Sequence, residues 1–335
     1  MNGKFIISLD FELHWGVFDA LTLEQYQNNL LNVRTVIDRL VKLSDTYGVK
    51  LTFATVGLLF AENKAAIKKH MPQNIPNYSD KNLNPYRLLD DIGENEALDP
   101  IHYAKSVIET IKLNTNHEIS THTFGHYNCF AAGQDASSFN ADLISARTIA
   151  KDLGIALKSI VFPKNQTRQD FLAVCKKNGI TNYRGVESHA MYNTNLKTNK
   201  KVVILGYRLL RLMDAYMNIS GTNTYPVKSI KKDAQGLINL PSSRFYRAYF
   251  PKLSMFEFLK KRRITKGMKH AAKNNALFHL WWHPHNFGDH IDENFKNLED
   301  VFKAYKKLNK KYNFESMTMT GLTDEILNKN DGNFK

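Results

Sequence analysis

The chain has 335 residues, 43% of them hydrophobic, and carries a formal net charge of +14. This length allows one large α/β barrel or two smaller domains with a sizeable core. The two cysteines, Cys129 and Cys175, exclude a disulfide framework; we expect both to pack as small apolar residues in a reducing compartment, and a role for Cys129 as a soft metal ligand ranks below packing.

The positive charge attracts anionic partners. Its densest run is Lys260-Lys261-Arg262-Arg263, which follows an apolar stretch at 253–259. Such a segment fits an anionic membrane surface or a phosphate-bearing substrate, and it also fits a solvated helix face. No nucleic-acid-binding motif accompanies it. The first apolar run is too short for a signal peptide and no window is long enough for a membrane span, so we expect a cytoplasmic protein, located at the inner face of the membrane if the basic segment binds there.

The first part of the chain alternates strand and helix patterns. Residues 4–10 predict a short buried strand, and residues 49–56 predict a second one. Between them, apolar residues recur at helical spacing as far as Gly48, and Thr22 with Gln25 has the spacing of a capping box. This β-α-β order is typical of parallel α/β folds.

The alternation continues around two irregular stretches. Residues 72–99 are rich in Pro, Asn and Asp and predict a long surface excursion, while residues 185–235 are irregular apart from an apolar helix at 207–217. Further strands are expected at 158–162, 180–184, 236–241, 277–282 and 314–317, and further helices at 58–71, 100–113, 137–153, 167–178 and 292–311, with a basic helix before residue 277 and one more helix at the end. We expect one domain over residues 1–335, with insertions at 72–99 and 185–235.

Polar side chains follow four of these strands: Asp10 with Glu12, His122 with His126, residues 163–166, and His283 with His285. In parallel α/β folds the functional groups collect at the carboxyl ends of the strands. Two histidines four residues apart can face one metal ion if the segment between them makes a single helical turn. A catalytic metal takes about three protein ligands, so the chain has to supply at least one more.

These segments resemble, in the same order, the motifs of the polysaccharide deacetylases of the NodB-homology type, carbohydrate esterase family 4. The matching segments are Asp10-Phe11-Glu12, His122-Thr123-Phe124-Gly125-His126, Phe162-Pro163-Lys164-Asn165-Gln166 and Leu280-Trp281-Trp282-His283. The resemblance extends from residue 4 to about residue 288. It implies an α/β fold, a distorted parallel (β/α) barrel, and a metal-dependent amide hydrolase.

The resemblance also implies roles for individual residues. Glu12, His122 and His126 would bind a divalent metal, zinc or alternatively cobalt. Asp10 would be the general base and His283 the acid that protonates the leaving amine, although the roles of Asp10 and Glu12 can be exchanged. The residues expected to contact the substrate are Lys164, Asn165, Arg244, Trp282 and His285.

The sequence departs from the family pattern in three places. The arginine expected just before Pro163 is absent, and Lys164 or Arg168 is the candidate to replace it. Two residues instead of one separate Leu280 from His283. The family's Asp and Trp motif has no clear counterpart.

Several other aromatic residues and histidines have simpler interpretations. Trp281 and Trp282 point to opposite faces of their strand, so one belongs to the core and the other is free to stack on a sugar. His14, His117 and His279 are expected to be structural.

The function that follows from the resemblance is removal of an N-acetyl group from an N-acetylated sugar, in particular a surface-polysaccharide or lipid- or nucleotide-linked precursor. One alternative keeps the fold and the metal but acts on a small cyclic amide or ureide, because the first motif also resembles that of such relatives. Another is a glycan-binding protein without catalysis, which the missing arginine suggests. A non-haem iron site ranks last because its usual β-rich framework does not fit this pattern.

Overall fold

A mostly parallel ten-stranded sheet organises the computed structural model, which describes residues 1–193 and 201–332. The sheet curls into a half-barrel with helices around it, as expected for a distorted (β/α) barrel. The strands are β1 (Lys4–Phe11), β2 (Leu51–Thr55), β3 (Glu118–Thr121), β4 (Ser159–Ile160), β5 (Asn182–Tyr183), β6 (Tyr225–Pro226), β7 (Ile238–Asn239), β8 (Arg244–Phe245), β9 (Ala276–Trp282) and β10 (Glu315–Ser316).

Ten α-helices connect or cover these strands within the two described ranges. They are α1 (Leu23–Leu31), α2 (Val33–Tyr47), α3 (Lys64–Lys69), α4 (Lys105–Leu113), α5 (Ala136–Asp152), α6 (Gln169–Lys177), α7 (Lys201–Tyr216), α8 (Glu257–Lys273), α9 (Ile291–Tyr312) and α10 (Met319–Gly332). None of them is both long and apolar enough to cross a membrane.

Strand β1 lies at the centre of the sheet. The main order is β6-β9-β1-β2-β3-β4-β5-β7; β10 pairs with the start of β1, β8 pairs with β9, and every pairing between strands is parallel except that of β6 with β9. All eight residues of β1 are buried because neighbouring strands and helices cover both of its faces. The carboxyl ends of β1, β3, β4, β5, β8 and β9 therefore meet at one edge of the half-barrel.

Local differences from the predicted elements have identifiable causes. The helix expected before Gly48 is divided at Asn32 into α1 and α2, and Thr22 precedes α1 without a side-chain capping bond, so the predicted capping box is wrong. The helix expected at 58–71 is a 3-10 turn at Gly57–Phe60 followed by the short α3. A Cβ at Gly57 would lie 2.6 Å from the Phe124 ring, so the turn packs directly on the histidine loop.

The two irregular stretches contain different secondary structure. Residues 72–99 form an excursion with two short 3-10 turns at Lys81–Leu83 and Pro85–Leu88. The apolar helix predicted at 207–217 is α7, which begins at Lys201. Residues 194–200 of the predicted insertion at 185–235 lie outside the described ranges.

Candidate metal centre and active site

Glu12, His122 and His126 form a buried cluster at the carboxyl edge of the sheet. One ligand atom from each lies within 4.8 Å of the other two. Glu12 Oε2 is 3.3 Å from His122 Nε2 and 3.2 Å from His126 Nε2. Among the described residues this is the group of acidic, histidine and cysteine side chains able to hold a metal ion. Two imidazoles and one carboxylate are a common donor set for zinc and similar divalent ions.

The residues around the cluster favour the binding of a cation. His122 Nδ1 lies 2.8 Å from the carbonyl oxygen of Val161, and donation to that oxygen leaves the Nε2 lone pair free toward Glu12. Burial alone would raise the pKa of Glu12, but the adjacent imidazoles of His283, His122 and His126 outweigh it and hold the pKa well below its usual range. The ionised carboxylate is the form of Glu12 that binds a divalent ion.

The segment between the two histidines is a loop and does not form the helical turn expected from their spacing. Thr123 and His126 adopt positive φ angles of 67° and 52°. The buried carboxylate of Asp142 on α5 accepts hydrogen bonds from the backbone N–H groups of Phe124 at 2.7 Å and Gly125 at 3.0 Å. Burial raises the pKa of Asp142 to about 6. The i, i+4 histidines therefore converge because a neighbouring helix holds a strained loop.

Asp10 is bound by an arginine that the sequence analysis did not identify. Arg184 Nη1 and Nη2 donate to Asp10 Oδ1 and Oδ2 at 2.6 and 2.8 Å, and Nη1 also donates to Ser8 Oγ at 2.9 Å. Nη2 donates to Asn165 Oδ1 at 2.8 Å, and the guanidinium lies 4.2 Å from the Trp281 ring centroid. Burial by itself raises the pKa of Asp10, and Arg184 reverses the shift, so the pKa lies below its ordinary value.

The candidates to replace the family arginine are wrong. Lys164 pairs with Asp19, and Arg168 pairs with Asp170 on the surface. Arg184 comes directly after β5, so its signal was available: the strand-end rule that selected Asp10 also applies to the strand predicted at 180–184.

His283 lies on the open side of the cluster. Its Nε2 is 3.5 Å from Glu12 Oε1 and 3.8 Å from Asp10 Oδ2, and its side chain keeps 24% exposure. His285 is stacked on His283 with ring centroids 5.1 Å apart and is buried, and burial followed by the neighbouring His283 lowers the pKa of His285 to about 3. His285 therefore supports the ring of His283 and does not make the substrate contact expected of it.

A cavity of about 250 Å³ opens beside His283. Trp281 lines it, whereas Trp282 is fully buried against Tyr246 and Phe287. The expected substrate contact at Trp282 is therefore wrong, and the strand face that borders the cavity carries Trp281 in its place. The reason is the strand alternation: the register that points His283 outward points Trp282 into the core.

Three other residues expected to contact the substrate also line this cavity: Lys164, Asn165 and Arg244. All three have partners. Lys164 pairs with Asp19, and Arg244 Nη1 donates to Asp214 Oδ2 at 2.6 Å. Asn165 accepts from Arg184, which connects the cavity wall to the Asp10 side of the site.

His14, His117, His279 and Cys129 have buried side chains with structural contacts, as expected. His14 contacts His102 at 2.7 Å, and His117 Nδ1 accepts from the backbone N–H of Leu51. His279 lies 2.8 Å from Ser8 Oγ, so it supports the hydroxyl that Arg184 contacts. Cys129 packs in a second apolar cluster, and burial raises the pKa of its thiol, which favours packing over metal binding.

Comparisons with known proteins identify the fold. No protein-family model and no curated protein sequence matches the chain. A solved structure from Mycobacterium smegmatis, assigned as a polysaccharide deacetylase, superposes with a TM-score of 0.61 at 10% identity over 98% of this chain and 91% of that chain. PuuE allantoinase gives 0.54 and a protein from Pseudomonas aeruginosa, also assigned as a polysaccharide deacetylase, gives 0.53, both at 10% identity over 96% of this chain and 89% of theirs. The chain therefore has the fold of the NodB-homology polysaccharide deacetylases.

Proposed function

We propose that the protein is a metal-dependent hydrolase that removes the N-acetyl group from an N-acetylated sugar. The observation that carries this proposal is the arrangement at one strand edge. A metal-ligand cluster of Glu12, His122 and His126 lies between the Asp10–Arg184 pair and the partly exposed His283. These are the parts that hydrolysis of an unactivated amide requires: a Lewis acid, a base and an acid for the leaving amine.

A divalent ion at the three ligands would polarise the amide carbonyl and lower the pKa of a bound water. Asp10 would accept the proton of that water. Its bidentate pair with Arg184 fixes the carboxylate and keeps it ionised, so that it is ready to take a proton at neutral pH. Glu12 fits the ligand role better than Asp10 because its Oε2 is the oxygen that both histidines approach.

His283 would donate the proton to the departing nitrogen. An amide needs this step because a free amide anion is a very poor leaving group. The Nε2 atom lies within 4 Å of both carboxylates and is reachable from the cavity, and Nδ1 is 3.3 Å from Asn286 Oδ1, which orients the ring. The products would be acetate and an amino sugar.

The test is metal analysis of the purified protein together with acetate release from a panel of N-acetylhexosamine glycans, nucleotide sugars and lipid-linked sugars. We expect about one divalent ion per chain, loss of activity on chelation and recovery with zinc or cobalt. Asp10→Asn and His283→Ala should each lower kcat by roughly 10²–10⁴-fold, the usual range for a general base or acid. A chain that is fully loaded with metal but releases no acetate from any member of the panel would contradict the proposal.

Two other functions make different predictions in the same assay. A hydrolase of cyclic amides or ureides would open a small ring substrate and leave the acetylated sugars intact, so such compounds belong in the panel. A binding protein without catalysis would bind glycans without turnover. Arg184 binds Asp10 although no arginine precedes Pro163, which supports catalysis over binding alone.

A further inference from the structure

The cavity beside His283 has a strongly basic wall. Its lining includes Lys164, Arg211, Arg244 and Arg247, against a single carboxylate, Glu187. Burial raises the pKa of Glu187, so this carboxylate is a weak counter-charge. A half-enclosed space with several cations favours an anionic ligand.

Two of these cations have no acidic partner among the described residues. Lys164 is paired with Asp19, and Arg244 is paired with Asp214. Arg211 donates its Nε to the carbonyl oxygen of Met191 at 2.7 Å, and Arg247 lies 5.8 Å from the Phe245 ring centroid. No carboxylate within residues 1–193 or 201–332 forms an ion pair with either guanidinium.

We propose that Arg211 and Arg247 form a subsite for a phosphoryl group attached to the substrate. The placement beside the acetamide rests on the proposed function; the anion site does not. Guanidinium groups bind phosphate through paired, charge-assisted hydrogen bonds. A phosphoryl group here would place its sugar next to His283, which lines the same cavity. The substrate is then a sugar diphosphate, carried on either a nucleotide or a lipid.

Inorganic pyrophosphate is the probe for the subsite itself, with calorimetry on the full metal-loaded chain. We expect Arg247→Met and Arg211→Met to weaken pyrophosphate binding by roughly ten- to a hundredfold each, the effect of losing a hydrogen bond to a charged group. Arg39→Met is the matched control, because Arg39 pairs with Asp292 on the outer surface. No binding by the wild type, or equal binding by all three variants, would overturn the proposal.

Steady-state kinetics then shows whether the phosphoryl group belongs to a nucleotide or to a lipid carrier. With a nucleotide-diphosphate N-acetylhexosamine and a polyprenyl-diphosphate N-acetylhexosamine, the two arginine variants should raise KM for the true substrate and leave kcat nearly unchanged. With a neutral methyl glycoside as substrate, the wild type and the two variants should have the same KM and kcat. The pyrophosphate measurement requires no turnover, so a failure of the deacetylase hypothesis is distinguishable from a failure of the subsite.

A second proposal rests on a different observation, the outer face of α7. The side chains of Val202, Leu205, Leu209 and Met213 on α7, and of Met217 just after it, are exposed although all are apolar, with Leu205 at 67% and Leu209 at 56% exposure. Their helical spacing places them on the face opposite Arg211 and Asp214, which point toward the protein. An uncovered apolar face of this extent on a globular protein marks a contact with another apolar phase.

A second group of exposed apolar side chains lies just before and at the start of α8. Phe250, Met255, Phe256 and Phe258 are all exposed at the start of α8, and both this segment and α7 pack on α8. Exposed basic residues accompany the apolar ones: Arg208, Lys252, Arg262 and Lys266. Apolar side chains bordered by lysine and arginine match the interface of a bilayer that contains anionic lipids.

We infer that α7 and the segment Phe250–Phe258 dock the protein on an anionic membrane surface. Charge complementarity selects the bilayer over a second copy of this chain, since two copies would bring like charges together.

Vesicle co-sedimentation tests this inference. Wild type should bind vesicles of phosphatidylcholine with phosphatidylglycerol, bind less to phosphatidylcholine alone, and dissociate at high salt. Leu205→Glu with Leu209→Glu should reduce binding at least tenfold, whereas Leu113→Glu, which changes a leucine of 85% exposure on α4, should not. No binding to anionic vesicles, equal binding by all variants, or a dimer in light scattering that the α7 variant dissociates would overturn it.

Discussion

The buried pair of Asp10 and Arg184 allows the sharpest test of the site. Arg184 is fully buried and donates to both oxygens of Asp10, to Ser8 and to Asn165. Arg184→Met keeps much of the side-chain volume but leaves the Asp10 carboxylate without its counter-charge. Breaking a buried ion pair by removing one partner costs about 3–5 kcal/mol, because an uncompensated charge remains in a medium of low dielectric.

A double-mutant cycle measures how strongly Asp10 and Arg184 stabilise each other. It uses protein from which a chelator has removed the metal, so that no metal charge compensates Asp10. Arg184→Met and Asp10→Asn should each lower the free energy of unfolding by about 3 kcal/mol or more. The double variant leaves neither charge unpaired, so its cost should fall short of the sum by about 2 kcal/mol. Lys303→Met, which breaks an exposed pair with Glu299, should change stability by less than about 0.5 kcal/mol.

Urea unfolding followed by circular dichroism measures all four variants. Additive costs of Arg184→Met and Asp10→Asn would refute the reasoning, because they would mean that the two groups do not stabilise each other. In the metal-loaded enzyme Arg184→Met should also lower kcat, since the carboxylate loses its orientation. A variant with wild-type kcat would exclude Arg184 as the positioning residue for Asp10.

Three further outcomes follow from the structure. A Cβ at Gly16 would lie 1.9 Å from Glu12 Cδ, so Gly16→Ala should lower the zinc affinity at least tenfold. Competition dialysis measures this affinity. Gly206→Ala is the control and should leave it unchanged, because nothing lies within 4 Å of a Cβ at that position. Arg244 outweighs the burial of Asp214 and lowers its pKa, so the stability that wild type holds over an Asp214→Asn variant should be fully present above about pH 4 and shrink progressively as the pH falls further; an advantage that is as large at pH 2 as at pH 6 would contradict this. Trp281→Ala should raise KM with little change in urea midpoint, and Trp282→Ala should lower the midpoint instead.

The parallel framework could be predicted from the sequence because its signals are local. The eight-residue β1 is apolar throughout except at Lys4, Ser8 and Asp10, and a fully buried parallel strand has that pattern. The ends of the helices and strands were harder to predict from the sequence. Strands β4, β5 and β7 have two residues each, although backbone hydrogen bonds such as those from Val161 to Thr121 and from Leu240 to Tyr183 continue beyond their ends.

The histidine loop shows what spacing alone leaves open. The i, i+4 rule correctly suggested that His122 and His126 approach one point, but for the wrong backbone conformation. The loop is held by Asp142, sixteen residues after His126 and on another element. A contact between a helix side chain and distant backbone N–H groups has no periodic signal, so neither the positive φ angles nor the role of Asp142 was predictable.

Arg184 illustrates why the order of motifs is a weaker guide than the geometry of strand ends. The resemblance placed the arginine just before Pro163, at the end of β4, and in this chain the guanidinium comes from the end of β5. Adjacent strands lie about 4.8 Å apart, a distance that the long arginine side chain spans easily. An arginine can therefore move to the next strand and still hold the same carboxylate. A gap in a linear motif is then poor evidence that catalysis has been lost, provided that a neighbouring strand end supplies a side chain of the same charge and reach.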